Sequence, residues 1–547
     1  MTIRRYDETY ESFDAEALAS ALAPGSLGKG LNACIECCDR HAEHDRIALN
    51  WIGADGTNVS YTYRQLVERS AQFANFLRNQ GVNPGDCVSG LLPRIPELLF
   101  VILGTWRAGA VYQPLFTAFG PKAIEYRLSA SKSRLVVTDQ ANRQKLSQIP
   151  SCPPILVTGV AQSRSVQDKY LADETERLST QFEPILRCGD DGFLLMFTSG
   201  TTGQPKGVSV PLKALLSFLV YMRDALDLRL EDAYWNMADP GWAYGLYYAV
   251  VGPLLLGHST TLVEGAFSVD AAYEIIRTSR ITNLAGAPTA YRMIVAAGEH
   301  RANAIKGQLR VVSSAGEPLN QEVIRWFRDN LNVQINDHYG QTEVGMILCN
   351  HHGLDHAIVP GSAGMPMPGF KLVVLNNEDE ELPVGEEGIL AIDTLRSPLF
   401  WFNGYLTESP GNAPSRYYRT GDTVRMNAGG SISFVGRADD IITSSGYRIG
   451  PFDVESALLE HPAVAESAVI GKPDPDRTEI VKAFVVLTDG YTPSDALAHE
   501  LQHHVRQRYA SHAFPREVEF VRDLPKTPSG KIQRFMLRQA EIEKSRR

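Results

Sequence analysis

The 547-residue sequence predicts an α/β fold. It reads as a large N-terminal domain of layered α/β subdomains plus a small β-barrel-like unit, followed by a small α+β C-terminal domain. Three observations carry this. The chain is too long for one hydrophobic core. Strand and helix patterns alternate through its first two-thirds, as mostly parallel sheets require. Between about Gly361 and Gly436 the pattern changes to short strands broken by Gly, Pro and Asn, which favours a small antiparallel or barrel-like unit. The boundary falls after Arg437, giving domains 1–437 and 438–547.

The elements follow in order. Tyr61 to Gln80 is amphipathic, with Leu66, Phe73, Phe76 and Leu77 near one face. The apolar stretch Cys87 to Leu92 precedes a helical run from about Ile95 to Ala108, and Arg134 to Thr138 is strand-like. Phe193 to Phe197 is another apolar strand, and Lys213 to Leu226 reads as a helix. In the C-terminal domain Phe452 to Glu460 and Ser494 to Tyr509 are helical, the latter with Leu497, Leu501 and Val505 in register. Val464 to Ile470, Val481 to Leu487 and Val518 to Val521 are its strands.

Composition narrows the function. With 44% apolar and 21% charged residues the chain is of the ordinary soluble kind, and its net charge of −10 offers no bulk attraction to nucleic acid or an anionic membrane. The N-terminal residues lack an apolar signal core, and no apolar run approaches the roughly 20 residues that span a bilayer. A cytoplasmic location is expected. Seven cysteines without a regular framework fit a reducing compartment. Cys34 and Cys37 have redox or zinc spacing, but Leu31, Cys34 and Cys38 read as the buried face of a helix. His351, His352 and His356 form a local cluster in a Gly- and Pro-containing loop and are expected to be solvated.

The most informative stretch is Thr198 to Gly207, which packs three glycines, four hydroxyls and a lysine behind the Phe193–Phe197 strand. Exposed backbone N–H groups, hydroxyl donors and a cation suit the oxygens of a polyphosphate. The spacing is not that of a Walker A loop, which disfavours a P-loop kinase or ATPase. Five further islands follow: Ser314–Leu319, Asp337–Glu343, Tyr418–Asp422, Gly436–Asp440 leading to Ser445–Pro451, and Pro525–Ile532.

This ordered set resembles the adenylate-forming (AMP-binding) superfamily over about Leu31 to Met536. Within it, Ala238–Trp242 and the stretch after Ser445 look most like short- and medium-chain acyl-CoA synthetases. The resemblance implies an acid–thiol ligase using ATP, Mg²⁺ and coenzyme A. It also implies that the small C-terminal domain is a mobile lid. Thr198, Ser199, Gly200, Thr201, Thr202 and Lys206 would clasp the departing phosphates. Gly316, Glu317 and Pro318 would lie against the adenine, with Asp337, His338 and Tyr339 completing that side. Thr342 would contact the α-phosphate and Glu343 would hold Mg²⁺. Asp422 would accept from the ribose hydroxyls, and Arg437 and Arg448 would serve ribose and phosphate. Lys531 would bridge the carboxylate and the α-phosphate. For the second half-reaction, Asp439 lies at the hinge position, give or take one residue, and Ser445, Gly446 and Tyr447 where the pantetheine chain passes.

By the same resemblance Trp242, with Ala243, Tyr244 and Gly245 beside it, walls the acyl pocket. Acetate-restricted relatives carry Trp at the position of Gly340, so a longer cavity and poor use of acetate are expected. A short branched or medium-chain acid fits, with aryl acids next. Acylation of Lys531 by a lysine acyltransferase, reversed by a deacylase, would remove the essential charge. The alternatives are an adenylation enzyme serving an aryl acid or a carrier protein, and a catalytically inactive nucleotide-binding regulator.

Overall fold

The computed structural model describes residues 4–22, 27, 30–159, 168–198, 205–406, 416–437, 440–444, 447–474, 478–509, 513–527 and 532–545. A large N-terminal domain carries two main sheets. In the first, seven strands run in the order Gly207–Pro211, Gly192–Phe197, Val111–Pro114, Cys87–Leu91, Leu135–Asp139, Ile155–Thr158 and Lys169–Tyr170. All neighbours are parallel except Gly207–Pro211. The second has six strands, ordered Tyr234–Asn236, Asn283–Gly286, Val311–Ala315, Ile335–Gln341, Gly345–Cys349 and Met365–Pro366. Its first four are parallel, and the chain then folds back antiparallel.

Local chemistry explains why these elements form. Short apolar runs such as Cys87–Leu91 are buried along their whole length, as strands covered on both faces must be. The Tyr63–Asn79 helix opens with a capping box, in which the Thr62 side chain accepts from the Gln65 amide and the Gln65 side chain accepts from the Thr62 amide. Its apolar face packs on the nearly all-buried helix Pro96–Arg107, which starts with proline at its first turn.

The antiparallel unit is a four-stranded sheet of Leu372–Leu375, Glu387–Asp393, Tyr417–Met426 and Ile432–Arg437. The small C-terminal domain pairs Tyr447–Ile449, Ile442–Ser444, Thr478–Leu487 and Val464–Asp474, with Glu517–Phe520 parallel to Thr478–Leu487. Its Val464 and Thr478 strands extend well past the apolar runs, because the hairpin keeps pairing through Lys472–Asp474. Helices Pro451–Leu459 and Asp495–Arg508 cover one face around Leu458, Leu501 and Val505.

Two local readings meet the structure differently. Cys34, Cys37 and Cys38 are fully buried free thiols around the short helix Ala33–Cys37, as expected of a packing face. The histidine loop is not solvated. His351 is buried, its backbone amide donates to His356 Nε2 at 2.9 Å, and the Tyr6 ring lies 5.6 Å from the His351 ring. The cause is long-range: Arg4–Arg5 adds a parallel strand to Leu354–Asp355 and draws Tyr6 over the imidazoles. Burial pushes the His351 pKa down to about 3. Among the described residues no group of His, Cys, Asp and Glu could hold a metal ion by itself, and no helix is long and apolar enough to cross a membrane.

Candidate active site

The glycine-rich segment is the tip of the Gly192–Phe197 and Gly207–Pro211 hairpin. The Thr198 amide donates to the Lys206 carbonyl at 3.0 Å, continuing the antiparallel pairing of the two strands by one step. Ser199, Gly200, Thr201 and Thr202 lie outside the described residues. The Lys206 ammonium stands 4.4 Å above the Tyr405 ring, an arrangement that anchors the cation without neutralising it.

The second sheet presents the carboxyl ends of its parallel strands, where open α/β sheets bind ligands. Val311–Ala315 ends at Gly316, whose φ of +106° favours glycine, and nothing lies within 4 Å of where its Cβ would stand. Arg292 donates to Glu317 at 3.0 Å. In the next strand Asp337 accepts from the Leu319 amide at 3.2 Å, while its other oxygen is buried without a protein partner. Burial, partly opposed by that amide, pushes the Asp337 carboxyl up to about 7.

This carboxyl has a testable consequence. Its folded-state pKa lies above the usual 3.8, so between those values the folded protein holds a proton that the unfolded chain has released. Stability therefore falls as pH rises from about 4 to about 7 and levels off above, by about 4 kcal/mol in total. Thermal melts of ligand-free Asp337→Asn should lack this component and exceed wild type most above pH 7. Parallel melting curves would remove it.

The same strand and the antiparallel unit meet in a polar mesh. Tyr339 and Gln341 both donate to Asp422 Oδ2, the amide at 3.0 Å; Gln341 also reaches the Thr420 carbonyl, and Tyr418 donates back to Gln341 at 3.1 Å. Asp422 is buried, with the Arg437 guanidinium 3.9 Å away. Beyond the mesh, Tyr405 donates to the buried carboxylate of Glu343 at 2.8 Å. Burial raises the Glu343 pKa; the Tyr405 hydroxyl and the charges of Arg437 and Lys206 oppose that. The Thr342 carbonyl accepts from Tyr247 at 3.0 Å.

Strand alternation sends His338 the other way. Its ring is buried in the core, one nitrogen 2.9 Å from the Tyr221 hydroxyl and the other 3.2 Å from the Asn350 carbonyl, so the side chain does not join Asp337 and Tyr339 in the cleft.

Trp242 packs against Phe116 and Phe119, with ring centroids 5.3 and 5.6 Å apart, just before the short helical turn Ala243–Gly245. Its indole nitrogen and the Tyr244 hydroxyl are buried without protein hydrogen-bond partners. Gly245 is required where it stands, since a Cβ would lie 2.1 Å from the Asp239 carbonyl oxygen. At Gly340 a Cβ would meet the Gly345 carbonyl at 2.3 Å, so the glycine lets the Ile335–Gln341 and Gly345–Cys349 hairpin close.

The C-terminal domain meets the large domain beside the Ser314–Leu319 island. Asn320 donates to Ser456 at 3.1 Å, and the negative charge of Glu317 favours the charged form of Arg534. Asp440 is paired with Arg538 of the C-terminal Arg534–Ser545 helix. Asp439, Ser445, Gly446 and Lys531 lie outside the described residues, as do the side chains of Tyr447 and Arg448, whose backbone forms the Tyr447–Ile449 strand. Lys531 is bracketed by a bridge between Lys526 and Ile532.

The sequence reading left Tyr405, Gln341 and Arg292 unassigned. Gln341 sits inside a recognised island, so its position was its signal. Tyr405 and Arg292 come from distant segments, and nothing local in the sequence announces them.

Comparison with known proteins agrees with this arrangement. Residues 38–406 match the family model of the AMP-binding enzyme, and residues 453–531 that of the AMP-binding enzyme C-terminal domain. The chain is 40% identical to an acetyl-coenzyme A synthetase of Bacillus subtilis (strain 168), over 99% of this chain and 96% of that one. It is 37% identical to the mitochondrial acyl-coenzyme A synthetase ACSM4 of Mus musculus, over 90% and 86%. Among solved structures, an acyl-CoA synthetase of Brucella canis is 55% identical, with TM-score 0.81 and coverage of 99% of this chain and 100% of that one. The anthranilate CoA ligase AuaEII in complex with anthranoyl-AMP is 28% identical, with TM-score 0.87 and coverage of 97% and 100%. The chain therefore belongs to the AMP-binding enzyme family, the adenylate-forming superfamily that includes acyl-CoA synthetases.

Proposed function

We propose that this chain is an AMP-forming acyl-CoA synthetase that activates a short- to medium-chain carboxylic acid and transfers the acyl group to coenzyme A. The observation that carries the reading is the convergence of Lys206, Glu343, Asp422 and Arg437 on one cleft from three separate segments. A carboxylate approaching a polyphosphate must overcome repulsion between anions, so preplaced cations and donors are what the reaction needs.

In the first step the substrate carboxylate attacks the α-phosphate of ATP, forming acyl-AMP and expelling pyrophosphate. The Thr198–Lys206 loop, including Ser199, Gly200, Thr201 and Thr202, holds the leaving phosphates. Gly316, Glu317, Pro318 and Tyr339 seat the adenine, and the orphaned oxygen of Asp337 is an acceptor within that wall. Asp422 and Arg437 take the ribose. Lys531 brings its ammonium from the lid to the carboxylate and α-phosphate. Glu343 suits Mg²⁺: it is a buried oxygen ligand with one side-chain donor, and phosphate oxygens would complete the shell. When bound, the metal draws charge from the phosphates. In the second step the CoA thiol attacks the acyl carbon and AMP departs. The domain boundary lies at 437/438, with Asp439 as hinge, Gly446 and its neighbours Ser445 and Tyr447 along the thiol path, and Arg448 exchanging phosphate contacts. The location is the cytoplasm. A lysine acyltransferase and a deacylase act on Lys531.

Trp242, Phe116 and Phe119 bound the acyl end. Acetate-restricted relatives carry tryptophan where this chain has Gly340; the Gly340 Cβ direction here meets the Gly345 backbone, so the longer pocket rests on that resemblance and not on the geometry at Gly340. Each additional buried CH₂ is worth about 0.8 kcal/mol, so butanoate should exceed acetate by roughly tenfold in kcat/KM. ATP–pyrophosphate exchange with a panel of linear, branched and aryl acids, without CoA and then with it, tests this. Exchange limited to acetate would reject the longer pocket; no exchange with any acid would favour a nucleotide-binding regulator.

A further inference from the structure

The passage from the large domain into the lid is tied directly to the helix that follows Lys531. After the Ile432–Arg437 strand, the Asp440 and Ile441 amides both donate to the Arg437 carbonyl, at 2.9 and 3.0 Å. This turn presents the Asp440 carboxylate, only 12% exposed, to two arginines of the Arg534–Ser545 helix: Arg538 donates to it, and Arg534 lies 3.9 Å away. Arg534 also forks onto Glu455 of the Pro451–Leu459 helix, with nitrogen–oxygen distances of 2.6 to 3.0 Å. Glu455 is itself fixed by accepting from the Val469 amide at 2.7 Å.

A bidentate guanidinium–carboxylate pair shielded from water has a narrow geometry. Here it stands three residues beyond Lys531, while on the other side of that lysine Lys526 is paired with Glu466 at 2.6 Å. The negative charge of Glu317 adds to those of Glu455 and Asp440 in favouring the charged form of Arg534. One guanidinium thus ties the crossover residue Asp440 to the lid core at Glu455.

We propose that Arg534 and Arg538 are positioning residues for the first half-reaction. By gripping Asp440 and Glu455 they convert the setting of the crossover into the placement of the lysine-bearing segment, so that Lys531 reaches the cleft only when this lattice is closed. The inference rests on the proposed two-step reaction. Neither arginine touches the reacting atoms, and neither is needed once acyl-AMP has formed.

The test measures both half-reactions on the full chain: acid-dependent ATP–pyrophosphate exchange, and CoA thiolysis of supplied acyl-adenylate. Arg538→Gln and Arg534→Gln should each lower the kcat of exchange at least tenfold, with KM for ATP changed less than threefold and thiolysis within twofold of wild type. Asp440→Asn should reproduce the Arg538→Gln loss, and the double variant should be no worse than either single one. Arg538, at the more open end, guards against a folding failure at Arg534. Exchange within twofold of wild type in both arginine variants, or equal loss of both half-reactions, overturns the proposal. A wild-type protein with no exchange for any acid would instead refute the reaction itself.

Discussion

Lys531→Ala is expected to lower acid-dependent ATP–pyrophosphate exchange by a factor of about a thousand or more, equivalent to about 4 kcal/mol of transition-state stabilisation, while leaving thiolysis of supplied acyl-adenylate within about threefold. The asymmetry is the content of the prediction. In the first step negative charge concentrates between the carboxylate and the α-phosphate, and only a cation delivered there offsets it. In the second step the phosphate leaves as AMP and the attacking group is a thiol, so an ammonium at that place has no comparable task. Acylation of Lys531 removes the same charge and should give the same split. An intact-mass adduct on Lys531 with undiminished exchange would contradict the assignment, as would equal loss of both half-reactions in the alanine variant.

Glu343→Gln should cost roughly a hundred- to a thousandfold in exchange and shift the Mg²⁺ dependence to higher concentration. Glutamine keeps an oxygen for the Tyr405 hydroxyl, so the local hydrogen bond survives and only the anionic ligand is lost. Burial already raises the pKa of Glu343, so replacing it by a neutral amide should not lower the melting temperature. An unchanged Mg²⁺ titration, or a loss of activity matched by unfolding, would remove Glu343 from the metal-side role.

Much of the fold was legible because its signals are local. The apolar run Phe193–Phe197 reads as a buried strand and forms one; its antiparallel partner Gly207–Pro211 was not foreseen. The helix at Tyr63–Asn79 announces itself by period and cap. What stayed hidden depends on chain segments meeting from far apart. Tyr405 reaches Glu343 across more than sixty positions, and no sequence pattern places it there. The His351 loop looked solvated because its composition is that of a turn, and only the pairing of Arg4–Arg5 with Leu354–Asp355 buries it. His338 shared an island with Asp337 and Tyr339, yet alternation along the strand turns its ring into the core. Gly340 invited an explanation by pocket length alone, whereas its Cβ direction is filled by the Gly345 backbone. Resemblance named the islands; geometry decided which side chains face the cleft.

The most direct measurement follows the oxygen atoms. With the acid labelled by ¹⁸O in its carboxylate, turnover with ATP and CoA should leave one labelled oxygen in AMP and none in pyrophosphate. That result requires the carboxylate to have bonded to the α-phosphorus and the acyl carbon–oxygen bond to have broken on thiolysis. Label appearing in pyrophosphate or inorganic phosphate, or AMP formed without label, would contradict activation through an acyl-adenylate in this cleft.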